Sequence, residues 1–152
     1  MQKIKPFLSY LEFEKRYSSH TLVAYKTDLI QFTEYISSQY ESELFDVKSE
    51  MIRSWMMKLI ETGCSKRSLN RKLTSLRQFY KFSIRNNYIG FNPMMKISSL
   101  KTGNSIPSFL TKHEMILLLE QKEFPKDYEG KRDEMILEML YSTGIRLSEL
   151  IN

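Results

Sequence analysis

The sequence predicts an all-α fold: a four-helix bundle over the first two thirds, then the opening helices of a second domain. Three observations carry this. Apolar residues recur at intervals of three and four in successive segments, the spacing of one helix face. No segment alternates apolar and polar residues with period two, and no Asn-Gly or Asp-Gly pair marks a hairpin. The breaks between the first four periodic segments are short, which favours antiparallel neighbours.

The first helix is expected over about Lys5–Lys15, with Phe7, Leu8, Tyr10 and Leu11 on its apolar face. Arg16 to Ser19 interrupt the pattern, and Ser18 or Ser19 can cap the next helix, a hydroxyl oxygen accepting from the free amides of the first turn. That helix runs to about Tyr40, with Leu22, Tyr25, Leu29, Phe32 and Ile36 as its buried stripe. Glu41 to Phe45 form a loop. Asp46 or Ser49 is expected to cap a third helix carrying Met51, Ile52, Trp55, Met56, Leu59 and Ile60, closed by Gly63. Ser65 opens a fourth, to Asn87, with Leu69, Leu73, Leu76, Tyr80 and Ile84 inward. Gly90-Phe91-Asn92-Pro93 stops it. Met56, Met57, Met94 and Met95 read as core filling.

Ile97 to Ser108 is polar, aperiodic and carries Gly103 and Pro107, so it reads as a linker between a domain at residues 1–96 and another at 109–152. Thr111 and Glu114 form a capping box, followed by Ile116, Leu117, Leu118 and Leu119. Gln121 to Gly130 is expected as a loop. Lys131 to Ser142 follows as a helix with Met135, Met139 and Leu140 facing inward and Ile136 beside them. Gly144 caps it, and Leu147 opens one more helix still in progress at Asn152. Ending without a cap, the second domain is expected to be a part of a larger protein.

Charge points to function. Residues 1–100 carry +7 and residues 101–152 carry −2 within an overall +5. Thr62 to His113 hold ten Lys or Arg and no Asp or Glu. Within the fourth helix Arg67, Arg71, Thr74, Gln78, Lys81 and Arg85 make a stripe opposite the apolar face, spaced 4, 3, 4, 3, 4. A helix needing only solubility gains from mixed Glu–Lys pairs; a stripe of one sign calls for a polyanion. It spans about 27 Å at about 1.5 Å per residue, enough to lie along a duplex groove. The candidate DNA contacts are Arg67, Arg71, Lys72, Thr74, Gln78, Lys81 and Arg85. Lys26 and Thr21 near the start of the second helix and Lys101 in the linker join them. A solvated basic face with no partner is the competing reading.

Cys64 is the single cysteine, so no internal disulfide forms and a reducing, cytoplasmic setting fits. His20 and His113 stand too far apart in sequence to suggest a metal site, and no apolar run reaches membrane-spanning length.

The segment Tyr141-Ser-Thr-Gly-Ile-Arg-Leu-Ser-Glu-Leu places Arg146 after a glycine turn at a helix start, where guanidinium and helix N-terminus both attract anions; Glu149 can orient it. An ordinary helix corner with a surface arginine is the plainer account. TGIRLSEL resembles the first catalytic-arginine motif of the tyrosine recombinases and phage-type integrases, especially those of Xer type. RDEMILEMLYSTGIRLSEL is similar to the opening of their catalytic domain, and IPSFLTKHEMILLL to the segment before it. SLNRKLTSLRQFYKFSIRNNYIGFNP and SSHTLVAYKTDLIQFTEYI resemble helices of their N-terminal core-binding domain.

The resemblance implies a four-helix SAM-like core-binding bundle, one half of a clamp on duplex DNA, followed by the first helices of a truncated catalytic domain. It implies strand exchange through a 3′-phosphotyrosine in a homotetramer. No nucleotide cofactor, required metal, membrane or small-molecule substrate is implied. Of the catalytic cluster it carries over Arg146, with Glu149 in support. The nucleophilic tyrosine is expected beyond Asn152; Tyr141 is expected to be packed. The fragment would then bind duplex DNA without cutting it. A stand-alone helical DNA- or RNA-binding regulator of shared ancestry, or a basic module for an acidic protein or membrane surface, are the alternatives.

Overall fold

The computed structural model describes residues 3–103, 109–121 and 124–151. Among them are seven α-helices, one π-helical turn and no strand, so the fold is all-α as predicted. The chain divides into two compact units, residues 1–103 and 104–152.

In the first unit α1 (Lys5–Ser9) opens with Pro6 in its first turn, where a missing amide costs nothing. It does not continue as a regular helix to Lys15. Tyr10–Glu14 form a π turn, in which the Lys15 amide donates to the Tyr10 carbonyl at 3.1 Å. Arg16 then adopts a left-handed backbone with φ 51°. Ser18 caps α2 (Ser19–Tyr40), accepting from the Thr21 amide. Helix α3 (Ser49–Glu61) follows a loop, but neither Asp46 nor Ser49 caps it. Lys48 holds the cap position without a side-chain bond, and Ser49 already lies inside the helix. Its buried hydroxyl donates instead to the Pro93 carbonyl at 2.7 Å, tying α3 to the turn beyond the next helix. Gly63, at φ 83°, takes the turn that L-residues resist. Ser65 caps α4 (Lys66–Arg85) by accepting from the Ser68 amide.

The core follows from the stripes. Leu29, Phe32, Tyr35 and Ile36 of α2 are buried with Ile52 and Trp55 of α3 and Leu69, Leu73, Leu76, Phe79, Tyr80 and Phe82 of α4. Phe7 enters edge-on to Phe79, with ring centroids 5.5 Å apart, and Phe32 lies 4.9 Å from Trp55. Such side chains each contribute about 1.5–3 kcal/mol on burial. Tyr80 is wholly buried and donates its hydroxyl to the Leu44 carbonyl. Ile60, expected inward, is half exposed. Met94 is buried, whereas Met57 and Met95 stand in solvent.

Ile97 is buried, and Asn70 of α4 clasps Leu100 twice, donating to its carbonyl and accepting from its amide, each at 2.8 Å. The beginning of the expected linker is thus part of the first unit. Its residues 104–108 lie outside the described residues.

In the second unit Thr111 and Glu114 make the expected capping box for α5 (Lys112–Gln121), the Glu114 carboxylate accepting from the Thr111 amide and hydroxyl. These bonds hold Glu114 below the usual carboxylate range. Ile116 and Leu117 are half-buried; the side chain of Leu119 lies outside the described set. Helix α6 (Tyr128–Thr143) starts three residues before the expected Lys131, because Asp127 caps it by accepting from the Gly130 amide. Gly130 is buried against Pro125; a Cβ there would sit 1.9 Å from the Pro125 carbonyl oxygen. Gly144, at φ 65°, ends α6, and α7 (Leu147–Ile151) follows. Of the expected core face of α6, Met135 and Met139 are exposed and Leu140 is half-buried, as is Ile136 beside it; Tyr141, expected to be packed, is exposed.

Candidate nucleic-acid interface

The outward face of α4 is built by the same periodicity that buries Leu69, Leu73, Leu76 and Tyr80. Arg67, Lys81 and Arg85 are exposed, Gln78 is half-buried, and Thr74 is half-buried with its hydroxyl donating to the Asn70 carbonyl. Arg67 and Lys81 have no ion pair or hydrogen bond among the described residues. Arg85 leans on Tyr10, its guanidinium carbon 5.9 Å from the ring centroid and one nitrogen donating to the hydroxyl at 3.4 Å.

Arg71 and Lys72 behave differently. Both reach the carboxylate of Asp28 on α2, which is completely buried. Arg71 donates from both terminal nitrogens, at 2.6 and 2.8 Å; Lys72 donates at 3.1 Å and Ser75 at 2.7 Å. A buried carboxylate is tolerated when its oxygens are satisfied by charged and hydrogen-bonding donors. Lys72 is largely enclosed and also donates to Gln31, whereas nearly half of the Arg71 side chain remains in solvent. Two cations on one carboxylate leave a local excess of positive charge on the outer face. Tyr25, one turn before Asp28, has its hydroxyl pKa raised by burial, by Tyr17 and by the Asp28 charge, against the opposing effect of Arg71.

Sequence reading missed Asp28. The signal was present: Asp28 lies three residues after Tyr25 and four before Phe32, inside the apolar stripe, where a carboxylate needs a cation. The other candidates are spread more widely. Thr21 hydrogen-bonds Ser18 at the start of α2, Lys26 is exposed one turn and a half further on, and Lys101 is exposed beyond the Asn70–Leu100 clasp.

In the second unit, Arg146 immediately precedes α7. Glu149 bonds it twice, accepting from its amide and from its guanidinium, both at 3.0 Å. The carboxylate thus caps the helix and orients a side chain that stays mostly in solvent. No group of three or more His, Cys, Asp or Glu among the described residues could hold a metal ion. No helix of the described residues is long and apolar enough to cross a membrane.

A cation-faced helix over a bundle, joined in sequence to a glycine-turn arginine, is the arrangement that the resemblance implies. Residues 4–87 match the family model of the phage integrase N-terminal SAM-like domain, and the chain belongs to the tyrosine recombinase family. It is similar over 149 residues to tyrosine recombinase XerC of Oceanobacillus iheyensis, at 37% identity, covering 98% of this chain and 48% of that protein. It is 34% identical over 152 residues to tyrosine recombinase XerD of Rickettsia bellii, covering 100% of this chain and 50% of that protein. It is equally 34% identical to tyrosine recombinase XerD of Staphylococcus aureus, over 149 residues. The chain spans about half the length of these curated relatives.

Proposed function

We propose that this chain is the DNA-gripping N-terminal portion of a site-specific tyrosine recombinase. In this reading residues 1–96, with the clasped segment to Gly103, form the core-binding domain, and residues 109–152 begin the catalytic domain. Arg67, Lys81 and Arg85, with the outer edge of Arg71, meet backbone phosphates. Gln78 and Thr74 face the groove, with Thr21, Lys26 and Lys101 as flanking contacts; Lys72 acts mainly inward, on Asp28. The observation that carries the reading is the one-signed face of α4 above a well-formed core. Repulsion along that face is relieved by a polyanion, and counterion release drives the association.

Arg146 is then the first arginine of the catalytic cluster, held by Glu149 so that its charge is in place before the phosphate arrives. In the full protein a tyrosine attacks the scissile phosphate, and strands exchange in a homotetramer, in the cytoplasm and without a nucleotide cofactor. Residues 1–152 alone bind duplex and leave it uncut.

The test is a duplex titration of residues 1–152 across a salt series, with a nicked suicide substrate alongside. With about five phosphates neutralised, log K falls against log salt with a slope of roughly −4 to −5. A salt-independent affinity, or none at low salt, overturns the DNA reading. A covalent adduct overturns the assignment of the nucleophile to residues beyond Asn152.

A further inference from the structure

We propose that the recess between the π turn and the C-terminal half of α4 is a phosphate site that takes a backbone phosphodiester at the edge of the DNA footprint. The inference rests on the DNA reading above and adds a named pocket to it. Tyr10, Lys15, Gln78, Lys81, Phe82 and Arg85 line a recess of about 180 Å³. Three of the six are cations and none is a carboxylate. None of the three cations has an ion pair among the described residues.

The local backbone is irregular where it supplies this site. A regular helix through residue 15 would continue the 3.6-residue register of α1. The π turn widens the ladder to an i→i+5 bond, Lys15 to Tyr10, and so redirects the chain that follows. Arg16 then holds a left-handed backbone that non-glycine residues adopt at some cost. Such irregularities persist where the surroundings enforce them, and they gather at functional sites.

The aromatic floor decides the ligand. Tyr10 packs against Phe82 with centroids 5.0 Å apart, and both Lys15 Nζ and Arg85 Cζ lie 5.9 Å from its ring. Its ring is thereby engaged by a neighbouring ring and two cations, leaving little for a base to stack on. Arg85 donates to the Tyr10 oxygen, which leaves the hydroxyl proton for an acceptor in the recess. Ammonium, guanidinium, phenol and amide donors around one small opening suit a tetrahedral oxyanion.

The experiment uses residues 1–152 and the variants Lys15→Gln and Arg85→Gln, with helicity checked by circular dichroism. Loss of one phosphate contact flattens the log–log salt slope by about 0.9 and weakens duplex binding about eightfold at 0.1 M salt. A duplex series carrying one neutral methylphosphonate per molecule then locates the contact. The wild type loses affinity at one backbone position, and Lys15→Gln is indifferent to that same substitution. A wild type that binds duplex while both variants keep its affinity and slope overturns the phosphate site and leaves the DNA reading standing. A wild type that binds no duplex overturns both. Inorganic phosphate that shifts the NMR signals of the recess, with duplex binding unchanged in the variants, overturns the duplex as its occupant.

Discussion

Arg71 grips Asp28 with both terminal nitrogens, at 2.6 and 2.8 Å, so one arginine of the outward stripe is also the counterion of a buried carboxylate. Removing the carboxylate leaves the largely enclosed Lys72 without its anion. Asp28→Ala is therefore expected to lower unfolding free energy by about 3 kcal/mol, the scale of a broken buried pair. Arg71→Ala is expected to cost less, about 1–2 kcal/mol, because Lys72 and Ser75 still serve Asp28 and Arg71 is half in solvent. Urea denaturation of the two variants checks the order. Equal stability of both with the wild type would show that the cluster contributes nothing.

Arg67 separates binding from folding more cleanly than Arg71. It is exposed and has no ion pair or hydrogen bond among the described residues, so Arg67→Ala leaves the melting temperature unchanged while weakening duplex binding. The loss is about 1–3 kcal/mol if it reads a base and smaller for a rim phosphate. Titrations at low and moderate salt measure it, and unchanged affinity at both removes the N-terminal end of the stripe from the interface.

Tyr80 predicts a base-unfolding signature. Burial raises its hydroxyl pKa well above the usual tyrosine range. A folded pKa above the unfolded value means that neutral Tyr80 contributes stability in full below about pH 10. That contribution declines as pH rises beyond 10, because only the unfolded chain then loses the proton. Of nine tyrosines, Tyr80 should ionise only as the chain unfolds. In Tyr80→Phe the phenolate absorbance that appears with unfolding should be smaller by one tyrosine. An equal absorbance change in the variant would contradict this.

Arg146 should act on chemistry rather than on the fold, since its side chain is mostly in solvent. In a protein extended through the remainder of the catalytic domain, Arg146→Ala is expected to slow cleavage by about 10² or more, with little change in melting temperature. Normal cleavage by that variant would remove Arg146 from the cluster.

Periodicity made much of the fold legible: Leu29, Phe32 and Ile36 of α2 and Leu69, Leu73, Leu76 and Tyr80 of α4 come straight from spacings of three and four, whereas the buried Tyr35, Phe79 and Phe82 lie beside those stripes and were not read from them. Ser18, one of two adjacent cap candidates, the helix start at Ser65 and the glycine turns at Gly63 and Gly144 were readable for the same reason, each being a local backbone need met by a local residue. What stayed hidden depends on tertiary pairing. Ser49 reads as a cap until Pro93 is seen to take its hydroxyl. Arg71 and Lys72 read as free cations until Asp28 arrives from another helix. In the second unit the apolar stripe of α6 was legible, yet Met135 and Met139 are exposed, because a pattern states which face seeks cover and not whether cover is at hand.

The π turn at Tyr10–Glu14 has a consequence for how this segment tolerates change in length. A π turn holds one residue more than an α turn, so deleting a single residue there would return the helix to ordinary register. The residues after the deletion would keep nearly their present facing, because the widened turn already absorbs the extra residue, and Phe7, lying before it, would keep its place against Phe79. Lys15 would stay on the side of Arg85, while the widened turn itself would close. A change of one residue in length is therefore absorbed within this segment, with the hydrophobic anchor of the bundle undisturbed.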